Sequence, residues 1–291
     1  MKRYPAPAKI NLHLKITRTL DNGYHELDTS FIYVDVADML EVSPSSSLNV
    51  SCSKKKLDGE KNLVYQVLHA LQKQHGVSEG LSIHIKKQLP DQAGLGGGSS
   101  DAATALLIAN NYWKLGLSIE SLIAFATPFG ADIPCFLFGE ASLATGIGEK
   151  LTPYPENIPN EHLLLAYPGL GLSTPEVFHC YDRQANKAHA LTHHGGIDTI
   201  RDHSKTAIGN NELESYACSL STEVNNLLKE MKKVSDKAWM SGSGSTCVAL
   251  FANKQEAGNV ASMLQAEKLA NWTHVGKLLK KHPLQSMKIG A

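Results

Sequence analysis

Apolar and polar residues alternate from near the start of the chain. Ile10, Leu12, Leu14 and Ile16 fall on one side of an extended segment, and Lys9, Asn11, His13 and Lys15 on the other. A period of two predicts a strand. The hairpin-turn dipeptide Asn22-Gly23 follows, and a second strand is expected over Phe31 to Val36. Val42 to Lys56 is polar and reads as strand and loop. The period then lengthens: Leu63, Val67, Leu68 and Leu71 predict a helix over Asn62 to His75. Leu81, Ile83 and Ile85 alternate with Ser82, His84 and Lys86, a strand again. Ala102, Leu106, Ala109 and Trp113 recur at steps of four, three and four and put a buried face on a helix over 99–113. Further amphipathic helices are expected over Ile119 to Phe129, near 221–233 (Val224, Leu227, Leu228 and Met231 inward) and over 255–268. Ala141 to Leu151 reads as strand and turn, bending at Gly146 and Gly148, and Leu163 to Tyr167 as a strand. A short helix should start at Thr174-Pro175 and run through Val177 and Phe178. From Gln184 to Lys205 the pattern is that of a polar loop, and the tail from Val275 is basic without clear period.

One stretch departs from these simple periods. Between the strand ending near Lys87 and the helix starting near Ser99, Gly94, Gly96, Gly97 and Gly98 come close together, and Ser99 and Ser100 stand where either can cap the helix. A helix N-terminus carries unpaired N–H groups and about half a positive charge, and glycines let backbone approach an anion, so strand, loop and helix are expected to make an anion site; the other reading is a flexible loop before an alanine-rich core helix. The common nucleotide motifs do not fit it. No Lys follows the glycines as in a P-loop, and Ser99 stands where a dinucleotide fingerprint needs its last Gly. The protein-kinase signatures are absent. Charge for the phosphates must therefore come from the helix, a bound Mg²⁺ and residues elsewhere.

Composition narrows the classes. Of 291 residues, 42% are hydrophobic and 19% charged, and the 28 Lys+Arg balance 28 Asp+Glu. A neutral chain offers no electrostatic case for nucleic acid or an anionic membrane, so neither partner is expected. No apolar run approaches the ~20 residues of a membrane span, and no signal peptide is expected. The five cysteines are odd in number and widely spaced, as in a reduced cytoplasmic protein without a zinc site. The length implies two domains. Leu151 to Asn160 is the best linker, which divides the chain into 1–152 and 153–291.

Several residues carry two readings each. The polar side of the first strand is either a solvated edge face or a site with Lys9 and Asn11 in it. Tyr24 and His25 either stack on and hydrogen-bond a base or pack the turn. Asp132, the only charge between Leu122 and Gly139, is either an N-cap or a functional carboxylate. His189, His193 and His194 lack a carboxylate or Cys at ligand spacing, so an exposed loop is expected there and no metal site.

Pro5-Ala-Pro-Ala-Lys-Ile-Asn-Leu12, Pro90-Asp-Gln-Ala-Gly-Leu-Gly-Gly-Gly-Ser-Ser-Asp101 and Ser241-Gly-Ser-Gly-Ser-Thr246, in that order, resemble the three motifs of the GHMP kinase superfamily of small-molecule kinases. The resemblance implies an α+β chain. Its N-terminal domain would be like ribosomal protein S5 domain 2, with a left-handed β-α-β crossover against the usual rule. Its C-terminal domain would be ferredoxin-like, with a tail that packs back on the first domain and with ATP and substrate in the cleft between. Gly23-Tyr24-His25, Gly130-Ala-Asp132-Ile-Pro134, and Thr174-Pro175 with Phe178 resemble the branch that phosphorylates CDP-methylerythritol in the non-mevalonate route to isoprenoids.

For that branch the implied roles are specific. Pro90, Asp91, Gln92, Ala93, Gly94, Leu95, Gly96, Gly97, Gly98, Ser99 and Ser100 would hold the phosphates of ATP, which arrives with Mg²⁺. Asp132 would accept or orient the proton of the attacking alcohol, and Lys9 would keep Asp132 ionised and stabilise developing charge. Tyr24 and Phe178 would sandwich the cytosine and His25 would read its edge. Asn11, Phe31, Ile147 and Thr174 would complete the substrate pocket. Ala93 stands where members often have Gly, which requires a negative φ there. The alternatives are a GHMP kinase for mevalonate, homoserine or a sugar, which would not need the base pocket, or a nucleotide-binding regulator without catalysis. A degenerate copy should lose the Lys or the Asp, and this chain keeps both.

Overall fold

The structure, a computed structural model, describes residues 1–155, 157–191 and 208–285. His193 and His194, and the side chain of His189, lie outside the described residues.

The chain opens as one long hairpin of β1 (Lys2–Thr19) and β2 (His25–Ser45). Its turn is the Asn22-Gly23 step, with Gly23 at φ 81°. The ladder shifts register between Pro7 and Lys9, where proline cannot donate a ladder bond. β3 (Asn49–Cys52) and β4 (Gly80–Lys86) run parallel, joined through α1 (Leu63–His75). The Asn62 side chain caps α1 by accepting from Val64 N–H. Val64 takes the buried place expected of Leu63, which is half-buried on the same core.

α2 (Gly97–Tyr112), α3 (Ile119–Ala126) and α4 (Ile133–Phe138) follow, then the hairpin of β5 (Ser142–Thr145) and β6 (Lys150–Pro153). β7 (His162–Tyr167) leads to α5 (Thr174–Leu191), so the helix begun at Thr174 runs on past Gln184, where a loop was expected. Then come β8 (Asn210–Asn211), α6 (Glu214–Leu220), α7 (Thr222–Val234), β9 (Ala238–Met240), β10 (Cys247–Phe251), α8 (Lys254–Ala266), β11 (Trp272–Gly276) and β12 (Leu278–Leu279).

Two sheets result. The first has the order β3-β4-β2-β1-β8, and β2 is long enough to pair β5 and β12 as well. The second is antiparallel, β11-β7-β10-β9. Strand alternation distributes three cores. Leu40, Ile83 and Ile85 lie beneath α1 and α2. Leu164, Ala166, Cys247 and Ala249 face the core that holds Val224 and Leu227 of α7. Between the two sheets, Ile10, Leu12, Ile32 and Val34 meet Leu163, Leu165, Val248, Leu250 and Trp239. The polar face of β1 is not a solvated edge: Lys9, Asn11 and His13 are 3%, 2% and 4% exposed. Buried polar groups need partners, and Asn11 shows how they are met. It accepts from Lys9 Nζ at 2.9 Å, donates to Thr29 Oγ1 at 2.8 Å, and its carbonyl takes Trp239 Nε1 at 2.8 Å.

Candidate active site

A cavity of about 930 Å³ is lined from β1, the β1–β2 turn, residues 57–63, the glycine loop, the start of α4, the start of α5 and the loop after β9. Every residue nominated above lines it except Ser100.

The glycine loop leaves β4 and folds against the C-terminal half of the chain. Gly94, at φ 74°, lies so close to the loop after β9 that a Cβ would stand 2.4 Å from the Ser241 carbonyl oxygen. Gly96, at φ 69°, occupies the N-cap of α2, and Ser100 N–H donates back to its carbonyl at 2.8 Å. The helix therefore begins before Ser99, and neither Ser99 nor Ser100 caps it. Three glycines can enter a helix without a side-chain cap because the left-handed Gly96 turns the chain. Ser100 falls in the buried turn, 0% exposed, its hydroxyl without a partner among the described residues. Its side chain is thus off the cavity wall. The N–H groups of Gly97, Gly98 and Ser99 have no carbonyl one turn back, the arrangement that suits an anion. Ala93 is accommodated because its neighbour Gln92 carries the positive φ, 50°.

Around this loop stands a charge cluster that sequence reading missed. Lys87, 5% exposed at its side chain, pairs with Asp101 at 2.8 Å and with Asp38. Asp38 also accepts from the N–H groups of Gln88 and Leu89, at 2.6 and 2.9 Å. Burial pushes the Lys87 amine down, but Asp101 and Asp38 outweigh it and hold its pKa above the ordinary value. Burial pushes Asp101 up to about 7, and its second oxygen has no partner among the described residues. Nearer the surface, Lys54 and Lys56 converge on Asp91 at 3.0 and 2.8 Å. Partial burial would raise that carboxyl, but the hydrogen bonds from the two lysines hold it below its usual range. Nothing local in the sequence marks these carboxylates, because each is explained by a Lys on another element.

Lys9 reaches the same loop from β1, its backbone N–H donating to Leu95 O at 3.0 Å. Its Nζ lies 3.5 Å from Asp132 Oδ2 and 5.3 Å from the Phe31 ring centre. Asp132 stands at the N-cap position of α4, but its side chain makes no cap hydrogen bond. The N-cap reading is therefore right about place and wrong about use, since Pro134 in the first turn removes an N–H a cap would serve.

At the far end of the hairpin, Tyr24 is 58% exposed while His25 is buried. Phe178 stacks on His25 with centroids 4.7 Å apart, so one face of Phe178 is taken by His25. Asp182, which sequence reading did not single out, meets His25 Nε2 at 2.8 Å. Nε2–H donates to that carboxylate, which fixes the orientation of the ring. Thr174 Oγ1 shares a 2.8 Å hydrogen bond with Ser243 Oγ, and Ile147 N–H donates to Glu149 at 2.7 Å. The loop after β9, which carries the third motif, closes the floor. Ser241 Oγ accepts from Asn11 N–H at 3.3 Å and contacts the Gly94 carbonyl at 3.2 Å. Asn211 Nδ2 donates to the carbonyls of Met240 and Gly242, both at 2.7 Å.

A glycine-loop anion site and a buried Lys beside a carboxylate in one cavity are the parts of a small-molecule phosphotransferase. Comparison agrees with the geometry. Residues 62–140 match the family model of the GHMP kinases N terminal domain, and residues 189–271 that of the GHMP kinases C terminal. The chain belongs to the GHMP kinases. Within them it is similar to the 4-diphosphocytidyl-2-C-methyl-D-erythritol kinase of Alcanivorax borkumensis, 36% identical over 89% of this chain and 86% of that one. The enzyme of the same name from Chromobacterium violaceum is 36% identical over 97% and 96%. A crystal structure of 4-(cytidine 5'-diphospho)-2C-methyl-D-erythritol kinase superposes with a TM-score of 0.75 at 30% identity, covering 95% of this chain and 99% of that one. Mevalonate kinase from Methanococcus jannaschii, at 11% identity and a TM-score of 0.67, shares the fold. Among the described residues, no helix is long and apolar enough to cross a membrane.

Proposed function

We infer that this chain transfers the γ-phosphoryl group of ATP to the 2-hydroxyl of 4-diphosphocytidyl-2-C-methyl-D-erythritol, in the non-mevalonate (MEP) pathway of isoprenoid biosynthesis. The observation that carries the reading is the Lys9–Asp132 pair, which shares one cavity with the glycine loop and the His25–Phe178 stack. The 4-diphosphocytidyl-2-C-methyl-D-erythritol kinases named above support the same substrate.

The chemistry follows from the parts. The alcohol oxygen attacks the γ-phosphorus, the bond to the β–γ bridging oxygen breaks, and ADP leaves. Positioning and charge stabilisation supply most of the catalysis. N–H groups of Gly97, Gly98 and Ser99 face the phosphates. Asp132 orients the alcohol and receives its proton. Lys9 Nζ donates to Asn11 Oδ1 and lies within ion-pair range of Asp132, and its remaining N–H groups are available to the reacting oxygens. Tyr24 and Phe178 hold the cytosine, with His25 at its edge, and Asn11, Phe31, Ile147 and Thr174 shape the rest of the pocket. Magnesium arrives with the nucleotide. It would be carried mainly by the phosphates and water. We take the chain as two units, 1–152 and 153–291, and place its work in the cytoplasm, where reduced thiols such as its five free cysteines persist.

The test is phosphoryl transfer by the purified chain. CDP-methylerythritol should be phosphorylated with ATP and Mg²⁺, and cytidine nucleotides should compete. Turnover of mevalonate, homoserine or galactose in its place would reject the substrate and keep the class.

A further inference from the structure

The β1–β2 ladder sets Tyr33 directly opposite Lys9. Opposed residues of antiparallel strands share a face of the sheet. Tyr33 is 1% exposed, and its hydroxyl donates to the Cys135 carbonyl at 2.5 Å. Cys135 belongs to α4, the helix that Asp132 begins. A single phenol therefore ties the strand register of Lys9 to the helix of Asp132. α4 is six residues long and its N-cap side chain does not cap it, so its place depends on outside contacts. The Tyr33 ring is fixed from two sides, by Phe136 at 5.9 Å and by a T-shaped contact with His282 at 5.5 Å. The far end of α4 is fixed as well, since His282 N–H donates to the Gly139 carbonyl at 2.8 Å. Burial raises the Tyr33 pKa well above its ordinary value, so the hydroxyl stays a donor.

We propose that Tyr33 is a positioning residue for phosphoryl transfer, its hydroxyl setting, through the Cys135 carbonyl, how Asp132 stands to Lys9. This rests on the reading of Lys9 and Asp132 given above. A misplacement of about 1 Å costs on the order of a hundredfold in rate. Phe136 of the same helix packs on Gly96 of the phosphate loop, but that contact runs through the rings, which Tyr33→Phe leaves in place, and the hydroxyl bond itself touches neither the loop nor the base pocket, so substrate binding should not depend on the bond.

Tyr33→Phe removes one oxygen and keeps the ring. The expected result is a kcat lowered roughly 5- to 50-fold, with KM for ATP and for CDP-methylerythritol each within about twofold and the melting temperature nearly unchanged. An unchanged kcat overturns the proposal. So does a kcat loss with parallel rises in both KM values, or a variant that does not fold, since either marks a general structural role. Asp132→Asn is measured alongside. Full activity there ends the catalytic reading of Asp132 and this proposal with it, whereas an inactive Asp132→Asn beside a fully active Tyr33→Phe ends the proposal alone.

Discussion

Lys9 Nζ stands 3.5 Å from Asp132 Oδ2, with the Lys side chain 4% exposed and the Asp side chain 37%. The asymmetry matters. A buried ammonium cannot turn to water and must keep the partners it has, while the carboxylate looks into the cavity and remains free to meet a substrate. The cation also lies 5.3 Å from the centre of the Phe31 ring, whose electron-rich face favours a charge there.

Substitution separates the two readings of Asp132. Because its side chain makes no cap hydrogen bond, Asp132→Asn should leave the melting temperature within a few degrees. Activity should fall at least ~100-fold, the low end for general-base catalysis, with ATP affinity nearly unchanged. Lys9→Met should lose a similar amount by removing the cation. The double variant should lose far less than the product of the two, because groups that act as one unit are not additive. Single-turnover rates measure all three, and full additivity would mean that Lys9 and Asp132 act separately.

Asp182 gives an independent handle on the base end. It holds His25 Nε2 at 2.8 Å while Phe178 stacks on the ring. Asp182→Ala should free the imidazole to rotate and change tautomer, raising KM for the cytidine substrate about tenfold. KM for ATP should not move. Steady-state kinetics with each substrate varied in turn decide it, and an equal effect on both would remove Asp182 from the base pocket.

How much of this was legible beforehand depended on whether a residue's meaning is local. The glycine loop, the hairpin turn at Gly23 and the inward faces of α1, α2 and α7 are set by neighbours in sequence, and they lie where pattern put them apart from Val64 in the place of Leu63 and an α2 that starts two residues early, at Gly97. Asp38, Lys87 and Asp101 have no such mark, since each is explained by a partner on another element. Asp182 was hidden in the same way, by a His on the first hairpin. β1 could not be told from an edge strand because alternation reports two different faces, and both polar and apolar faces can be buried. The tail from Val275 looked uninformative because its order comes from β2, with Leu278 and Leu279 pairing Val34 and Tyr33.

Two glycines of the loop should respond in opposite ways. A Cβ on Gly98 would meet nothing within 4 Å, and Gly98 lines the cavity at the first turn of α2. Gly98→Val should therefore fold normally and lose ATP affinity by more than ~10-fold, since the side chain takes phosphate space. A Cβ on Gly94 would stand 2.4 Å from the Ser241 carbonyl at φ 74°. Gly94→Ala should damage the fold first, seen as a lower melting temperature before any binding measurement. Unchanged ATP affinity in folded Gly98→Val would remove the first turn of α2 from the nucleotide site.

His282 predicts a pH dependence of stability. It is 2% exposed, it accepts from Leu284 N–H at 3.1 Å, and burial pushes its pKa from 6.5 down to about 4. Above pH 6.5 the imidazole is neutral both folded and unfolded and contributes no slope. Between pH 6.5 and 4 the unfolded chain binds a proton that the folded chain refuses, so stability falls as pH falls. The full loss is about 3 kcal/mol, from 1.36 kcal/mol per pKa unit. His282→Asn keeps an acceptor for Leu284 N–H and removes the titration. At pH 7.5 the variant should be less stable than the parent, because it loses the ring that packs on Tyr33. At pH 4.5 the gap should shrink or reverse. Urea unfolding of both proteins at the two pH values measures it, and a gap that stays constant would show that His282 takes up its proton in the folded chain as readily as in the unfolded one.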